Sequence, residues 1–128
     1  KLSSSEKRSV VERLQKLLSA REEVLLAVLF GSFTGNSTFR DIDVALYVVG
    51  VDDYLKYKLE LDQALTDSLG YPVDTSILND APPWFIVEVC ESGQLLLSKI
   101  EGFYDMICKK GFGEQYDVDT KLKLLGEE

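Results

Sequence analysis

The stretch VLLAVLFGSFTGNSTFRDIDVALYVV, residues 24–49, decides how this chain is read. It opens with an apolar run, Val24 to Phe30, that stops at Gly31-Ser32. A continuous short run of this kind, bounded by a turn signal, reads as a strand buried on both faces. Gly31 to Arg40 is rich in Gly, Ser, Thr and Asn and reads as a loop. Ile42 to Val49 is β-branched and aromatic, a second strand. Side chains alternate across a strand, so Asp41 and Asp43 share one face while Ile42, Val44, Leu46 and Val48 share the core-facing side.

Outward from this pair, Ser3 to Arg21 reads as a helix: Ser3 and Glu6 fit a capping box, and Val10, Leu14, Leu17 and Leu18 recur at helical spacing. Asp53 to Leu69 is a second helix, with Asp52-Asp53 suited to its N-cap, Tyr54, Tyr57, Leu61, Ala64 and Leu65 inward, and Gly70 ending it. Pro72 to Leu78 is a third strand, in which Asp74, Ser76 and Leu78 face away from Val73, Thr75 and Ile77. Asn79 to Pro83 is a turn, with Pro83 opening a short helix to Glu91 that ends at Ser92-Gly93. Gln94 to Ser98 suits a fourth strand, and Glu101 to Leu125 a helix broken around Gly111-Phe112-Gly113. The expected fold is α/β (α+β in stricter usage), a small mixed sheet with flanking helices. Residues 1–128 are expected to form a single domain, its motif-bearing core at about 10–98 and a helical extension at about 101–126.

Composition narrows the chemistry. The chain has 128 residues, a net charge of −8 and 45% apolar residues, the profile of a folded domain and not of a disordered one. No apolar run nears the ~18–20 residues of a membrane helix, and residues 1–9 lead into no signal-like segment. A soluble, cytoplasmic protein is expected. Its negative charge and its short basic pairs, Lys7-Arg8 and Lys109-Lys110, argue against broad nucleic-acid binding. There is no histidine, which removes histidine-based triads, the usual zinc sites and imidazole acid–base chemistry. Cys90 and Cys108 are too few for a disulfide framework, and Cys90 reads as a small buried residue.

Catalysis must then rest on carboxylates. Asp41 and Asp43 on one face repel each other, and a divalent cation removes that repulsion. Mg²⁺ takes oxygen ligands and keeps sites open for substrate phosphates, and two carboxylates at this spacing suit a pair of ions about 3.5–4 Å apart. Gly31 allows close backbone approach to a phosphate, and the Ser32 hydroxyl can donate to it. Either motif alone is commonly a plain turn or a solvated acid pair; together, after a buried strand, they favour function.

These residues resemble the minimal nucleotidyltransferases of the DNA polymerase β-like superfamily. The resemblance rests on Leu29-Phe30-Gly31-Ser32, on Asp41-Ile42-Asp43-Val44, on a third acid in Tyr71-Pro72-Val73-Asp74, and on Glu91-Ser92-Gly93 before Leu95-Leu96-Leu97. It spans about residues 10–98. The loop between Ser32 and Asp41 is about two residues shorter than the family's and carries Thr34-Gly35 and Arg40 instead of the family's Arg-Gly and Ser. The resemblance implies transfer of a nucleoside monophosphate, AMP from ATP, to a hydroxyl. In it Asp41, Asp43 and Asp74 hold two Mg²⁺ ions and do the catalysis, while Gly31, Ser32 and Arg40 bind phosphate. It also implies a small helical partner of the HEPN type, as in toxin–antitoxin pairs. Two alternatives remain open: a non-catalytic nucleotide- or partner-binding antitoxin module, and an antibiotic-type small-molecule transferase completed by a second subunit or a homodimer. Trp84 and Phe85 read as core or, if exposed, as a docking or base-stacking surface, and Tyr47 as pocket lining or sheet cover.

Overall fold

The computed structural model describes residues 2–34 and 41–126. Its elements run α1 (Ser4–Ser19), β1 (Val24–Phe30), a single 3-10 turn (Gly31–Thr34), β2 (Ile42–Val48), α2 (Tyr54–Leu69), β3 (Val73–Ile77), α3 (Pro83–Ser92), β4 (Gln94–Ser98) and α4 (Phe103–Leu124). The strands form one sheet in the order β3-β2-β1-β4. β1 pairs antiparallel with β2 and β4, while β2 and β3 are parallel. Parallel neighbours need a long crossover, and α2 supplies it. The fold is the mixed α/β arrangement expected from the sequence.

β1 is continuously apolar because it is a central strand covered on both faces. Ala27 and Leu29 join Ile42, Val44, Leu46 and Val48 in a core completed by Leu14 and Leu18 of α1 and Leu61 and Leu65 of α2. Leu26, Val28 and Phe30 face the other way, with Ala45, Leu78 and Val89, against Phe85, Ile86 and the start of α4. At about 1.5–3 kcal/mol per buried large aliphatic side chain, these two layers are the main source of stability. The helix ends follow local chemistry. Ser3 and Glu6 close a reciprocal capping box, Asp53 accepts from the Lys56 N–H, and Gly70 ends α2 in the left-handed region.

Two expectations need correction. α4 is not broken at Gly111-Phe112-Gly113 but runs unbroken through both glycines. Gly111 is buried against α3, where an added Cβ would come within 2.5 Å of Ile86 Cγ2. It is a close-packing residue, and that contact outweighs the ~1 kcal/mol helix penalty of glycine. The cysteines also behave differently: Cys90 and Cys108 form a disulfide that staples α3 to α4, their Cα atoms 5.9 Å apart. One cross-link between two helices needs no framework of many cysteines. Among the described residues no helix is long and apolar enough to cross a membrane.

Candidate active site

β1 delivers the chain to Gly31, and β2 returns beside it with Asp43 paired to Phe30. Gly31 has φ +78°, and a Cβ built on it would fall 2.3 Å from Asp43 Oδ2. Glycine is therefore required twice, for its backbone conformation and for room beside the carboxylate. Gly31 is expected to lie against phosphate, and its bare backbone also abuts a carboxylate. Ser32 is exposed in the same turn. Lys7 of α1 anchors that turn, donating to the Phe33 carbonyl at 3.2 Å with its ammonium 5.2 Å from the Phe33 ring centre.

The parallel register sets Asp43 directly opposite Asp74. Partners in register point to the same face, so the sheet brings together two acids that lie 31 residues apart in the chain. Asp41 lies one residue before β2 and is exposed. Burial pushes the Asp43 carboxyl above the usual range, repulsion from Asp74, Asp41 and Glu88 adds to this, and Lys58 partly offsets it. Arg40 lies outside the described residues, so its phosphate role is not addressed by this geometry.

Glu88 and Lys58 were missed in the sequence. Glu88 lies on α3, one turn after Phe85, whose ring meets Phe30 edge-on at 5.6 Å; nothing in its local sequence separates it from a solvated helix acid. Lys58 and Asp62 form an i,i+4 pair, ordinarily a surface feature. Here Lys58 also binds Asp74 Oδ1 at 2.5 Å. Its ammonium is raised above its ordinary pKa: burial acts to lower it, but hydrogen bonds and charge from Asp62 and Asp74 prevail.

Trp84 is 59% exposed, its ring edge-on to the half-buried Phe85 at 5.8 Å. Tyr47 packs edge-on against Phe103 at 4.9 Å and borders a cleft of about 440 Å³ walled by Leu78, Ala81, Ile86 and Met106. Tyr47 is four residues beyond Asp43 on the same strand face, so the cleft lies roughly 13 Å from the acids.

Oxygen donors alone, crowded until they repel, suit a hard divalent cation. Among the described residues no three acids form a ready-made metal cluster. Mg²⁺ does not require one, because it commonly takes one or two carboxylates and completes its shell with water and phosphate oxygens.

The profile of the "Polymerase beta, Nucleotidyltransferase" family matches residues 12–101. The chain belongs to this family. A Methanocaldococcus jannaschii protein that bears the name protein adenylyltransferase is 33% identical over 75 residues, 57% of this chain and 76% of that protein. Among solved structures, a chain of the Shewanella oneidensis complex of tri-AMPylated HEPN toxin with MNT antitoxin superposes with a TM-score of 0.76. The match covers 93% of this chain and 94% of that one at 22% identity. A chain of a toxin–antitoxin complex with AMP-PNP gives a TM-score of 0.77 at 23% identity, covering 90% and 94%. At such identities the two superpositions establish the shared fold. Family membership makes the chain a nucleotidyltransferase.

Proposed function

We propose that this nucleotidyltransferase moves AMP from ATP to a hydroxyl on a partner protein, a small helical protein of the HEPN class. The observation that carries the reading is the pairing of Asp43 with Asp74 beside the glycine turn at Gly31. The acceptor oxygen attacks the α-phosphorus, the bond to the α–β bridging oxygen breaks, and pyrophosphate leaves. Asp74 takes part in removing the hydroxyl proton, and Gly31, Ser32 and Arg40 hold the β- and γ-phosphates. Asp41, Asp43 and Asp74 are the residues that would hold Mg²⁺, which when bound neutralises the charge of the triphosphate. The two complexes that hold the structural relatives, one with a tri-AMPylated HEPN toxin and one with AMP-PNP, support adenylyl transfer as the chemistry, and the name of the Methanocaldococcus jannaschii relative supports a protein acceptor.

The test is incubation with Mg²⁺ and α-labelled ATP in lysate of the source cells, with Asp43→Asn alongside. Label on one discrete protein, absent with the variant, is the expected result. Equal labelling by the variant would overturn the assignment of the acids.

A further inference from the structure

The ammonium of Lys58 is not a free-swinging surface charge. An ammonium has three protons, and Lys58 has an acceptor for each: Asp74 Oδ1 at 2.5 Å, Asp62 Oδ2 at 2.8 Å and the Thr75 carbonyl at 2.7 Å. Asp62 is itself fixed, since its Oδ1 accepts from the Thr75 N–H at 2.8 Å and from the Thr75 hydroxyl at 2.6 Å. Thr75 is fully buried. Part of this network has a structural purpose: β3 is an edge strand, and α2 covers its outward backbone groups, as edges usually need. Capping Thr75 would not require the lysine to engage Asp74 as well. That third bond ties a rigid cation to one of the two acids paired across β2 and β3.

We infer that Lys58 is a positioning residue and resident counter-charge for Asp74, and that it makes cation binding at the acid pair depend on nucleotide. This rests on the proposed function. With Oδ1 accepting from the ammonium, Oδ2 is the Asp74 oxygen that the lysine leaves fully open to a cation. A divalent ion there would sit close to a fixed positive charge, which disfavours binding of the free ion. A triphosphate brings several negative charges of its own and overcomes that repulsion, so the metal arrives with the nucleotide. The same contact holds the Asp74 carboxylate in one orientation for turnover.

The test measures Mn²⁺ binding without nucleotide, from the loss of the free-ion electron paramagnetic resonance signal, for wild type, Lys58→Met, Lys58→Arg and Asp62→Asn. Removing a unit charge about 5 Å from a divalent ion is worth about tenfold in affinity even at the dielectric constant of water, so Lys58→Met is expected to bind Mn²⁺ about tenfold more tightly. Its kcat at saturating Mg-ATP falls nonetheless, and Lys58→Arg restores both values toward wild type. Asp62→Asn leaves the lysine charge facing Asp74 alone and binds Mn²⁺ more weakly, the opposite direction. It decides the matter if Lys58→Met does not fold. A Lys58→Met affinity within twofold of wild type, or an Asp62→Asn affinity equal to or tighter than wild type, overturns the inference. Asp43→Asn serves as the separate control: if it binds Mn²⁺ as wild type does, the acid pair is not the cation site and the proposed function fails instead.

Discussion

The β1–β2 ladder has two ends, and a partly buried carboxylate sits at each. At the Val24–Val48 end, Glu23 accepts from the Tyr57 hydroxyl at 2.6 Å and from Arg21 at 3.5 Å, while its own carbonyl accepts from the Val49 N–H. Burial acts to raise its pKa, but these partners, Tyr57 foremost, bring it below the usual range. At the Phe30–Asp43 end, Asp43 is raised by burial and by three neighbouring acids, with Lys58 a partial counterweight. The same functional group on the same pair of strands is stabilised at one end and crowded at the other. Crowded charge that the fold compensates only in part is characteristic of a site that works on a ligand. The Glu23 end holds the sheet together; the Asp43 end is destabilised in a way that a bound cation relieves.

The most severe way to break the contrast is Asp43→Asn. Turnover is expected to fall on the order of 10³-fold, as when a principal charge-stabilising group is removed, read as the initial rate of pyrophosphate release. Stability should move the other way. In EDTA at neutral pH the variant should unfold at higher denaturant than wild type, since it removes a half-buried charge facing like charges. A variant that lost activity and stability together would mean that Asp43 belongs to the framework.

Next in size is Gly31→Ala. Its Cβ would meet Asp43 Oδ2 and would have to adopt positive φ. Such strain is worth about 1–3 kcal/mol, measurable as a lower urea midpoint at unchanged slope. Turnover should fall with it, because the carboxylate is displaced. Gly70, also at positive φ but with nothing within 4 Å, is the control. Gly70→Ala should lose stability and leave turnover unchanged.

These positions also mark how far the sequence could be read. Both strands of the ladder were legible because burial on two faces gives an unbroken apolar run in β1, and the pleat gives alternation in β2. The face carrying Asp43 followed from the same period. Its pairing with Asp74 did not, because the register of two strands joined by a sixteen-residue helix is set by packing, not by local spacing. Only the resemblance to a known family singled out Asp74. Lys58 was hidden for a related reason: its partner at Asp62 is local and ordinary, and its partner at Asp74 is neither. Gly111 read as a helix breaker because propensity carries no information about Ile86 on another helix. Cys90 and Cys108 lie on separate helices whose docking no spacing rule encodes.

A gentler probe is pH. With cations removed, Asp43 keeps its proton in the folded protein to higher pH than in the unfolded chain. Stability attributable to it is therefore full below the unfolded value and declines as pH rises through the ordinary carboxylate range toward its raised folded value. Denaturation in EDTA across that window should show wild type losing ground relative to Asp43→Asn. The gap should close at low pH, where both side chains are neutral, and Mg-ATP should narrow it at neutral pH for wild type alone.

The smallest expected effect lies at the opposite end of the ladder, with Tyr57→Phe. The hydroxyl is the leading partner of Glu23, and its removal leaves a partly buried carboxylate with the longer Arg21 contact. A hydrogen bond to a charged group contributes about 1.5–3 kcal/mol when well buried, so about 1 kcal/mol is expected at this partly exposed position. The sign with pH opposes that at Asp43. Glu23 is depressed in the folded state, so its contribution is present above the unfolded carboxylate value and lost as pH falls through the folded one. The deficit of Tyr57→Phe should therefore be largest at neutral pH and shrink in acid, with turnover unaffected. If the two pH profiles ran in the same direction, the two ends of the ladder would not differ in kind, and the reading of Asp43 as a crowded functional acid would lose its physical basis.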